Sequence, residues 1–444
     1  MTKKLSRYPI SWIPTLYIAE GLPYFAVNVL AVILYTRMGI SVQDTAFYTG
    51  WLYLPWVIKP FWSPFIDIFG TKRGWTLAMQ LFIGLSMAAI AFLLPFSFFF
   101  AATLAVFWLM AFFSATHDIA ADGYYMLALT HHEQAAYVGL RNTFYRIASL
   151  IGQGGLVWLA GEMEERTGGD IPMAWMMVFG VMSAMLLCIA LWNYNAMPVA
   201  HDDRPVADRT SADIAKEFAS AFVTFFKKRH IVSALIFMLC YRLPEALMLK
   251  VAPPFMLAAK ADGGLGLTTK EVGIANGTVG VIALLAGGIV GGLCIARKGL
   301  RFWLWPMALA LTLPCGVYCW MALAQPDNFM WVNIAIGFEQ FGYGFGFTAF
   351  MLYLIYFATG PFKTSHYAFC TAFMALGMML PGMCAGWIYD LACSVSWFSE
   401  SPTPGYTNFF FIVMVTCLIT YTACALVKID PAFGLKHKSD LKKS

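Results

Sequence analysis

Runs of about 20 mostly apolar residues recur along the whole chain, and mostly short polar segments separate them. A helix needs about 20 such residues to cross a bilayer, and lipid forces backbone polar groups to pair within each segment. The pattern therefore predicts an all-α membrane protein with twelve spans. These spans, numbered in chain order, cover approximately residues 11–36, 45–66, 75–96, 101–127, 136–161, 172–194, 230–257, 271–296, 302–323, 329–357, 365–391 and 405–427.

One longer polar segment separates the first six spans from the last six. We therefore predict an N-terminal half over residues 1–194, a cytoplasmic linker over 195–229, a C-terminal half over 230–427 and a basic cytoplasmic tail over 428–444. The linker is predicted to form a short amphipathic helix. This helix either lies on the inner membrane surface or only connects the halves. Its apolar residues at helical spacing are Ile214, Phe218, Phe222, Phe225 and Phe226.

The composition is that of a chain surrounded by lipid. Of its 444 residues, 60% are hydrophobic and 12% are charged, whereas an ordinary soluble protein is about 25% charged. A water-soluble chain of this kind would expose large apolar patches, which excludes a soluble enzyme, a nucleic-acid-binding protein and a disordered chain. The 10 Cys are scattered without a C-x-x-C pair. We expect no cofactor and no metal site, because the sequence has no nucleotide motif and no metal-ligand spacing.

Lysine and arginine are distributed unevenly between the two sets of loops. If the N-terminus is cytoplasmic, 20 of the 29 basic residues fall in cytoplasmic segments and 4 in outer loops. Basic residues concentrate on the cytoplasmic side of membrane proteins. The bias therefore predicts that both termini are cytoplasmic.

Four ionisable residues lie near the middle of spans: Glu20 in span 1, Arg242 and Glu245 in span 7, and Glu339 in span 10. A charge inside a span is costly and by default indicates function. Glu20 and Glu339 are candidates for proton coupling, although Glu20 could instead form a structural pair with Arg242. Arg242 binds carboxylates well and is a candidate substrate anchor, with Glu245 beside it. The alternative is a permanent ion pair between Arg242 and Glu245, three residues apart.

Other polar residues are candidates for lining the substrate site. Tyr24 and Asn28 follow Glu20 at four-residue intervals on one helix face, and Tyr241 precedes Arg242. Aromatic faces with polar edges suit sugars, although ordinary packing is the alternative for each residue. Lesser candidates for the same role are Gln153 and Asn276. The glycine run 342–346 in span 10 indicates close helix packing or a gating bend.

Charges near the inner ends of the spans predict a gate. Asp118 and Asp122 lie four residues apart on one face of span 4, level with Arg141 and Arg146 at the start of span 5. We predict that these four residues form an ion network that locks and releases the inner end. Two weaker expectations are that His117 carries protons and that Lys59 and Lys250 snorkel or pair locally.

Six spans on each side of a basic linker resemble the layout of the major facilitator superfamily. The loop after span 2 contains Asp67, Gly70, Lys72, Arg73 and Gly74, and it resembles the conserved acidic–basic loop of that family. The resemblance implies a fold of two six-helix halves. It also implies a substrate site near the midplane lined by spans 1, 4, 7 and 10, and a gating role for Asp67, Lys72 and Arg73.

A narrower resemblance, to the AmpG-type muropeptide permeases and the related acetyl-CoA transporters, extends over most of the chain. It is carried by Gly21-Leu22-Pro23 in span 1, Lys59-Pro60-Phe61-Trp62-Ser63-Pro64 in span 2, Asp118-Ile119-Ala120-Ala121-Asp122-Gly123-Tyr124 in span 4, Tyr145-Arg146 in span 5 and Gly386-Trp387 in span 11. The sequence departs from the family at His117, Glu20, Arg242 and Glu245. The resemblance implies proton-coupled uptake of peptidoglycan fragments across the bacterial inner membrane, as in peptidoglycan recycling.

We therefore predict a permease that works by alternating access, a symporter of protons and a small molecule, monomeric and multi-pass in the bilayer. Another anionic solute, such as an acetyl-CoA-like compound, a siderophore or a sugar, is the alternative substrate. A membrane-embedded acyltransferase is less favoured. Such an enzyme needs an acid–base pair, but His117 and Asp118 point about 100° apart as neighbours on a helix.

Overall fold

The computed structural model describes residues 8–129, 131–199, 203, 211–360, 362–398, 401, 404–431 and 433, and this part of the chain is helical without a strand. The first six spans contain the helices Ile13–Phe25 and Ala31–Arg37 (span 1), Val42–Trp51 and Leu54–Ile68 (span 2), Lys72–Leu93 (span 3), Phe99–Ala128 (span 4), His131–Ser149 and Val157–Arg166 (span 5), and Ile171–Ala196 (span 6). The last six contain Ile231–Cys240 and Leu243–Leu257 (span 7), Thr269–Val272 and Val281–Thr312 (span 8 and the start of span 9), Gly316–Ala324 (the rest of span 9), Phe329–Phe357 (span 10), Lys363–Ser394 (span 11) and Pro404–Leu426 (span 12).

Eight helical stretches among the described residues combine the length and the hydropathy that a membrane span needs. One of them, Thr269–Ala324, covers predicted spans 8 and 9, because two helices meet there at Gly299, whose φ of 77° favours glycine. Predicted spans 2, 5 and 10 are helical as well. The predicted all-α membrane fold is therefore confirmed.

Two spans are broken just before a proline. In span 2 the first helix ends at Trp51, four residues before Pro55. In span 7 the first helix ends at Cys240, four residues before Pro244. Proline lacks an N–H, and its ring clashes with the carbonyl four residues earlier. The helix therefore ends and begins again. The break in span 7 places Arg242 outside helical backbone, with φ −103° and ψ 15°, at the start of the second helix.

Three segments of the described chain have π-helical geometry. They are Ala26–Leu30 in span 1, Leu150–Leu156 in span 5 and Gly273–Gly280 in span 8. Such turns are rare and often occur at functional sites. Each of the three contains one of the amide residues singled out from the sequence: Asn28, Gln153 and Asn276.

The chain separates into two units, which we call unit 1 and unit 2. Unit 1 comprises Met1–Gly39 and Leu52–Glu217, and unit 2 comprises Ile40–Trp51 and Phe218–Ser444. The first helix of span 2 thus packs with the C-terminal spans, and a Cβ on Gly50 would lie 2.6 Å from Cγ of Met383 in span 11. The predicted boundaries of the halves, the linker and the tail stay predictions.

Glycines hold spans 8 and 10 of unit 2 in direct backbone contact. A Cβ on Gly344 would lie 2.0 Å from the backbone oxygen of Leu284, and one on Gly287 would lie 2.1 Å from that of Phe341. These positions have no room for a side chain, so the two backbones approach closely. The glycine run 342–346 therefore serves helix packing, which is one of the two roles expected from the sequence.

The linker forms the predicted amphipathic helix, Ser211–Phe226. Its Phe225 is fully buried, with ring centroids 5.4 Å from Phe369 and 6.1 Å from Phe373 of span 11. After the helix, Lys228 Nζ donates to the backbone oxygens at the end of span 10, including Thr359 O at 2.7 Å. The helix is therefore docked on protein through part of its apolar face.

Candidate functional site

A cluster of charged and aromatic side chains from spans 1, 4 and 5 lies inside unit 1. Arg141 Nη2 is 2.7 Å from Asp122 Oδ1. Tyr17 Oη donates to the same carboxylate oxygen at 3.3 Å, and the Arg141 guanidinium lies 4.7 Å from the centre of the Tyr17 ring. Charge-assisted hydrogen bonds and a cation over an aromatic face both stabilise such an arrangement. The predicted pairing of the span 4 acids with span 5 is therefore present for Asp122 and Arg141.

Glu20 belongs to this cluster, which the sequence did not reveal. Its side chain is 8% exposed, and Oε2 has no hydrogen-bond partner among the described residues. The charged groups that act on it in unit 1 are Asp122, Asp118, Arg141 and Lys59. The residue predicted to couple protons and the residues predicted to form the inner gate are thus brought together.

Asp118 is held by span 2 and not by arginine. Trp56 Nε1 donates to Asp118 Oδ2 at 3.0 Å, and Lys59 acts electrostatically on the same carboxylate. Arg146 forms no ion pair with a residue that the structure describes. The predicted four-residue network is therefore a single ion pair, with Asp118 bound to tryptophan and Arg146 outside it.

Of the predicted substrate-lining residues of unit 1, Tyr24 adjoins this cluster through Trp56, which also binds Asp118. The Tyr24 ring contacts Trp56 edge to face at a centroid distance of 5.3 Å. Asn28 is 1% exposed, its Nδ2 donates to Tyr24 O at 2.9 Å, and its Oδ1 has no partner in the described chain. Gln153 Nε2 donates to Ser149 Oγ at 2.9 Å. A buried amide oxygen without a donor is an unsatisfied hydrogen-bond acceptor, and an N–H or O–H group of a substrate can donate to it.

The loop after span 2 is organised by a linker residue. Asp203 is 7% exposed, and its two carboxylate oxygens accept from the backbone N–H groups of Lys72 at 2.6 Å and Arg73 at 2.9 Å. Arg73 also donates to the backbone oxygen of Met197. An acidic residue at a helix N-terminus satisfies its unpaired donors. Asp67 lies in the helix Leu54–Ile68, but its side chain is outside the part that the structure describes.

A second cluster lies in unit 2, at the break in span 7. Arg242 binds Glu245 through two hydrogen bonds of 2.8 and 2.7 Å, and it also donates to Tyr343 Oη at 2.8 Å. The guanidinium lies 4.8 Å from the centre of the Phe347 ring. The Arg242 and Glu245 side chains are 12% and 16% exposed. The ion pair considered from the sequence is therefore present, and it faces the start of the glycine run in span 10.

Tyr241 occupies a different environment from its neighbour Arg242. Its ring is fully buried and stacked on Phe350 at 5.2 Å, and its hydroxyl donates to Gly346 O at 3.0 Å. Both parts of the side chain are used in packing spans 7 and 10 together. A substrate-lining role, one of the two readings of the sequence, is therefore not favoured for Tyr241.

Glu339 lies one turn before Tyr343 on span 10. It is 4% exposed, and Oε2 accepts from Gln340 Nε2 at 2.8 Å. Glu245 acts on it electrostatically. A Cβ on Gly280, at the end of the π segment of Asn276, would lie 3.2 Å from the Gln340 side chain. Asn276 Oδ1, like that of Asn28, has no partner among the described residues.

Two polar residues differ from the sequence expectations. Lys250 is 1% exposed, and its Nζ donates to Thr49 Oγ1 at 2.9 Å, so it is buried rather than snorkelling. His117 is fully buried, and its Nε2 lies 3.0 Å from Nε2 of Gln80. Since an amide nitrogen only donates, this contact leaves the proton of a neutral imidazole on Nδ1. His117 is therefore held by one buried hydrogen bond, its Nδ1 has no partner among the described residues, and its role as a proton carrier stays a prediction.

Among the residues that the structure describes, no three His, Cys, Asp or Glu side chains come together as metal ligands. The chemistry that the two clusters can perform is therefore that of carboxyl groups, arginine and amides. Such groups can bind and release protons and can bind anions and hydrogen-bond donors.

Comparison with known proteins places these features in a family. The model of the major facilitator superfamily matches residues 15–386. The anhydromuropeptide permease of Escherichia coli strain K12 is 26% identical over 380 residues, covering 84% of this chain and 72% of the relative. The AmpG 4 protein of Rickettsia conorii is 26% identical over 391 residues, covering 85% and 89%. The resemblance to AmpG-type permeases is therefore confirmed.

Solved structures share the fold. The nucleoside transporter NupG superposes with a TM-score of 0.69 at 11% identity, covering 97% of this chain and 100% of that chain. A D-xylose–proton symporter superposes with a TM-score of 0.69 at 10% identity, covering 95% and 99%. These matches confirm the predicted architecture of twelve membrane helices.

Proposed function

Because the chain belongs to the major facilitator superfamily, we propose that it imports peptidoglycan fragments, such as anhydro-muropeptides, by proton-coupled alternating access. The chain is a multi-pass secondary transporter and not an enzyme. The observation that carries the proposal is the charge balance of the unit 1 cluster. The name of the Escherichia coli relative, an anhydromuropeptide permease, supports the choice of substrate.

The unit 1 cluster has more carboxyl groups than cations. Among the groups that act electrostatically on one another around Glu20, three carboxylates stand against two cations, Arg141 and Lys59. Glu20 is buried, whereas the Asp122 side chain is 42% exposed. An uncompensated buried carboxylate is costly, and one proton removes that cost. Asp122 is bound by arginine and Asp118 by tryptophan. We therefore assign the proton to Glu20.

Coupling follows if the cluster binds its proton more strongly in one state of the transport cycle than in the other. A ligand shifts a conformational equilibrium only by its difference in affinity for the two states. The bond between Asp122 and Arg141 joins spans 4 and 5, and we propose that its formation and loss accompany gating. Asp67, Lys72 and Arg73 are proposed to take part in the same inner gate because of the family resemblance. Arg146 is proposed to take part because it lies at the start of span 5 near the same end.

We propose that Arg242 anchors a carboxylate of the substrate. Muropeptides carry carboxylates, and a guanidinium that already binds Glu245 can exchange or share that partner. Tyr24, Asn28, Gln153 and Asn276 are proposed to contact the sugar and peptide groups. Other anionic solutes, including acetyl-CoA-like compounds, siderophores and charged sugars, would use the same anchor. We propose a monomer in the bacterial cytoplasmic membrane with both termini cytoplasmic, which the basic-residue bias supports.

The test is uptake of labelled anhydro-muropeptide into vesicles that contain the purified protein, with and without an imposed pH gradient. Glu20→Gln should abolish accumulation driven by the gradient and leave exchange of substrate across the membrane partly intact. Glu339→Gln should retain driven uptake, because Gln340 already provides that carboxyl with a hydrogen-bond partner. Competition by unlabelled acetyl-CoA, a siderophore and a sugar in the same vesicles separates the alternative substrates.

A matched control for Glu20→Gln makes the same substitution at a glutamate that lies beyond the end of a predicted span. Glu162, at the outer end of span 5, pairs with the exposed Arg166 at 2.9 Å, and Glu162→Gln should leave driven uptake unchanged. Driven uptake that survives in Glu20→Gln would refute the proton assignment. If the protein takes up another anion but none of the muropeptides tested, the proposed substrate is refuted and the proposal of proton coupling stands.

A further inference from the structure

A groove in unit 2 lies between the start of span 9 and the end of span 12. It has a volume of about 470 Å³, and its walls include Arg301, Leu304, Trp305, Val427, Lys428 and Ile429. Since span 9 begins where span 12 ends, these residues lie at the same side of the membrane. The groove is separate from the two charged clusters described above.

Two cations share this groove without a carboxylate partner. Arg301 and Lys428 are both exposed, and neither forms an ion pair with a described residue. Nearby, Lys298 Nζ lies 4.6 Å from the centre of the Phe302 ring, and Lys298 forms no ion pair with a residue that the structure describes. Like charges in one groove repel each other, and a bound anion relieves this repulsion.

The remaining wall of the groove is apolar and aromatic. Leu304 is 4% exposed and Ile429 is 8% exposed, so both form part of the packed wall. Trp305 is 43% exposed, with its ring 6.4 Å from that of Tyr421. An exposed tryptophan at the end of a span is typical of the level where lipid headgroups meet acyl chains.

We propose that this groove binds one anionic phospholipid, with the phosphate between Arg301 and Lys428 and an acyl chain along Leu304 and Trp305. Basic pockets between membrane helices recognise lipid headgroups by this combination of charge and apolar surface. The C-terminal tail of the chain, residues 434–444, is the other candidate occupant. It contains four Lys and one Asp, so its charge opposes binding next to two cations.

The test measures lipid affinity of the full chain purified in detergent, by native mass spectrometry and by the thermal shift on lipid addition. Dioleoylphosphatidylglycerol should bind about 25-fold more tightly than dioleoylphosphatidylcholine, because each cation near a headgroup contributes about fivefold. Arg301→Gln/Lys428→Gln should remove this preference without changing the binding of phosphatidylcholine. The control Lys227→Gln/Arg229→Gln, which removes two other exposed cations, should retain it.

Two further measurements test whether the charge of the groove determines the lipid preference. The charge-retaining variant Arg301→Lys/Lys428→Arg should keep the preference for phosphatidylglycerol, so a loss seen only in the glutamine variant is due to the missing charge. A preference that survives in the glutamine variant, or that falls equally in the control, would overturn the proposed site. Inorganic phosphate that gives the same thermal shift without lipid would show that the site recognises a free anion, and this result would also overturn the proposal.

Discussion

Arg242 and Glu245 form an ion pair that stabilises the fold, and Arg242 is also the proposed substrate anchor. Single and double variants of this pair can distinguish the two roles. The carboxylate receives two hydrogen bonds of 2.8 and 2.7 Å, and both side chains are less than one fifth exposed. Solvent screening is therefore small. An exposed pair contributes about 0.2–1 kcal/mol, whereas removal of one partner of a buried pair costs roughly 3–5 kcal/mol because the other charge stays buried.

Glu245→Gln should accordingly lower the free energy of unfolding by roughly 3–5 kcal/mol. The double variant Arg242→Met/Glu245→Leu leaves no uncompensated charge, so it should be far less destabilised than the two single variants together. The expected result for the double variant is a protein that folds but does not take up substrate, because the carboxylate anchor is gone. A charge-swapped pair, Arg242→Glu/Glu245→Arg, should restore stability without restoring uptake.

The assay is reversible unfolding in mixed micelles for each single variant and both double variants, with uptake measured in parallel. Glu245→Gln with the stability of the natural protein would refute the treatment of this pair as buried. Uptake by the double variant at the natural rate would refute the anchoring role and leave Arg242 and Glu245 as a permanent structural pair.

Three further substitutions test the packing, each by thermal or chemical unfolding in detergent. Gly344→Ala should cost about 1–3 kcal/mol or more, because its Cβ would lie 2.0 Å from a backbone oxygen, whereas Gly292→Ala, which meets no atom within 4 Å, should be nearly neutral. Phe225→Ala should lower the free energy of unfolding by about 3–5 kcal/mol. Val223 is 47% exposed on the same helix, so Val223→Ala should lower it by less than about 1 kcal/mol. Equal losses in the two variants would contradict docking of the linker helix. Gln80→Ala should cost about 1–3 kcal/mol, because it leaves buried partners unpaired, and an unchanged midpoint would contradict the network.

The features that the sequence predicted well are those fixed by short stretches of chain. Apolar runs set the spans, because about 20 consecutive apolar residues are enough for a helix to cross a bilayer. The ion pair of Arg242 and Glu245 is also local, since residues three apart on a helix are neighbours. None of these features depends on how one span packs against another.

The features that the sequence could not provide depend on the rotation and depth of separate helices. Glu20 comes under the electrostatic influence of Asp122 and Arg141 only because spans 1, 4 and 5 pack together in unit 1. Asp203 reaches the start of span 3 from a linker far along the chain, and no spacing rule connects the two. Lys250 is seven residues from the end of its helix, about 10 Å along the axis, which is too far for its ammonium group to snorkel to the membrane surface.

The carboxyl groups of the two clusters differ in the partners that bind them. Asp122 and Glu245 are each bound by an arginine, and Asp118 is bound by Trp56 and influenced by Lys59. Among the residues that the structure describes, Glu20 Oε2 has no hydrogen-bond partner, and Glu339 accepts a hydrogen bond from the neutral amide of Gln340. We therefore propose that Glu20, and not Glu339, carries the proton, because its Oε2 is buried without a hydrogen-bond partner among the described residues.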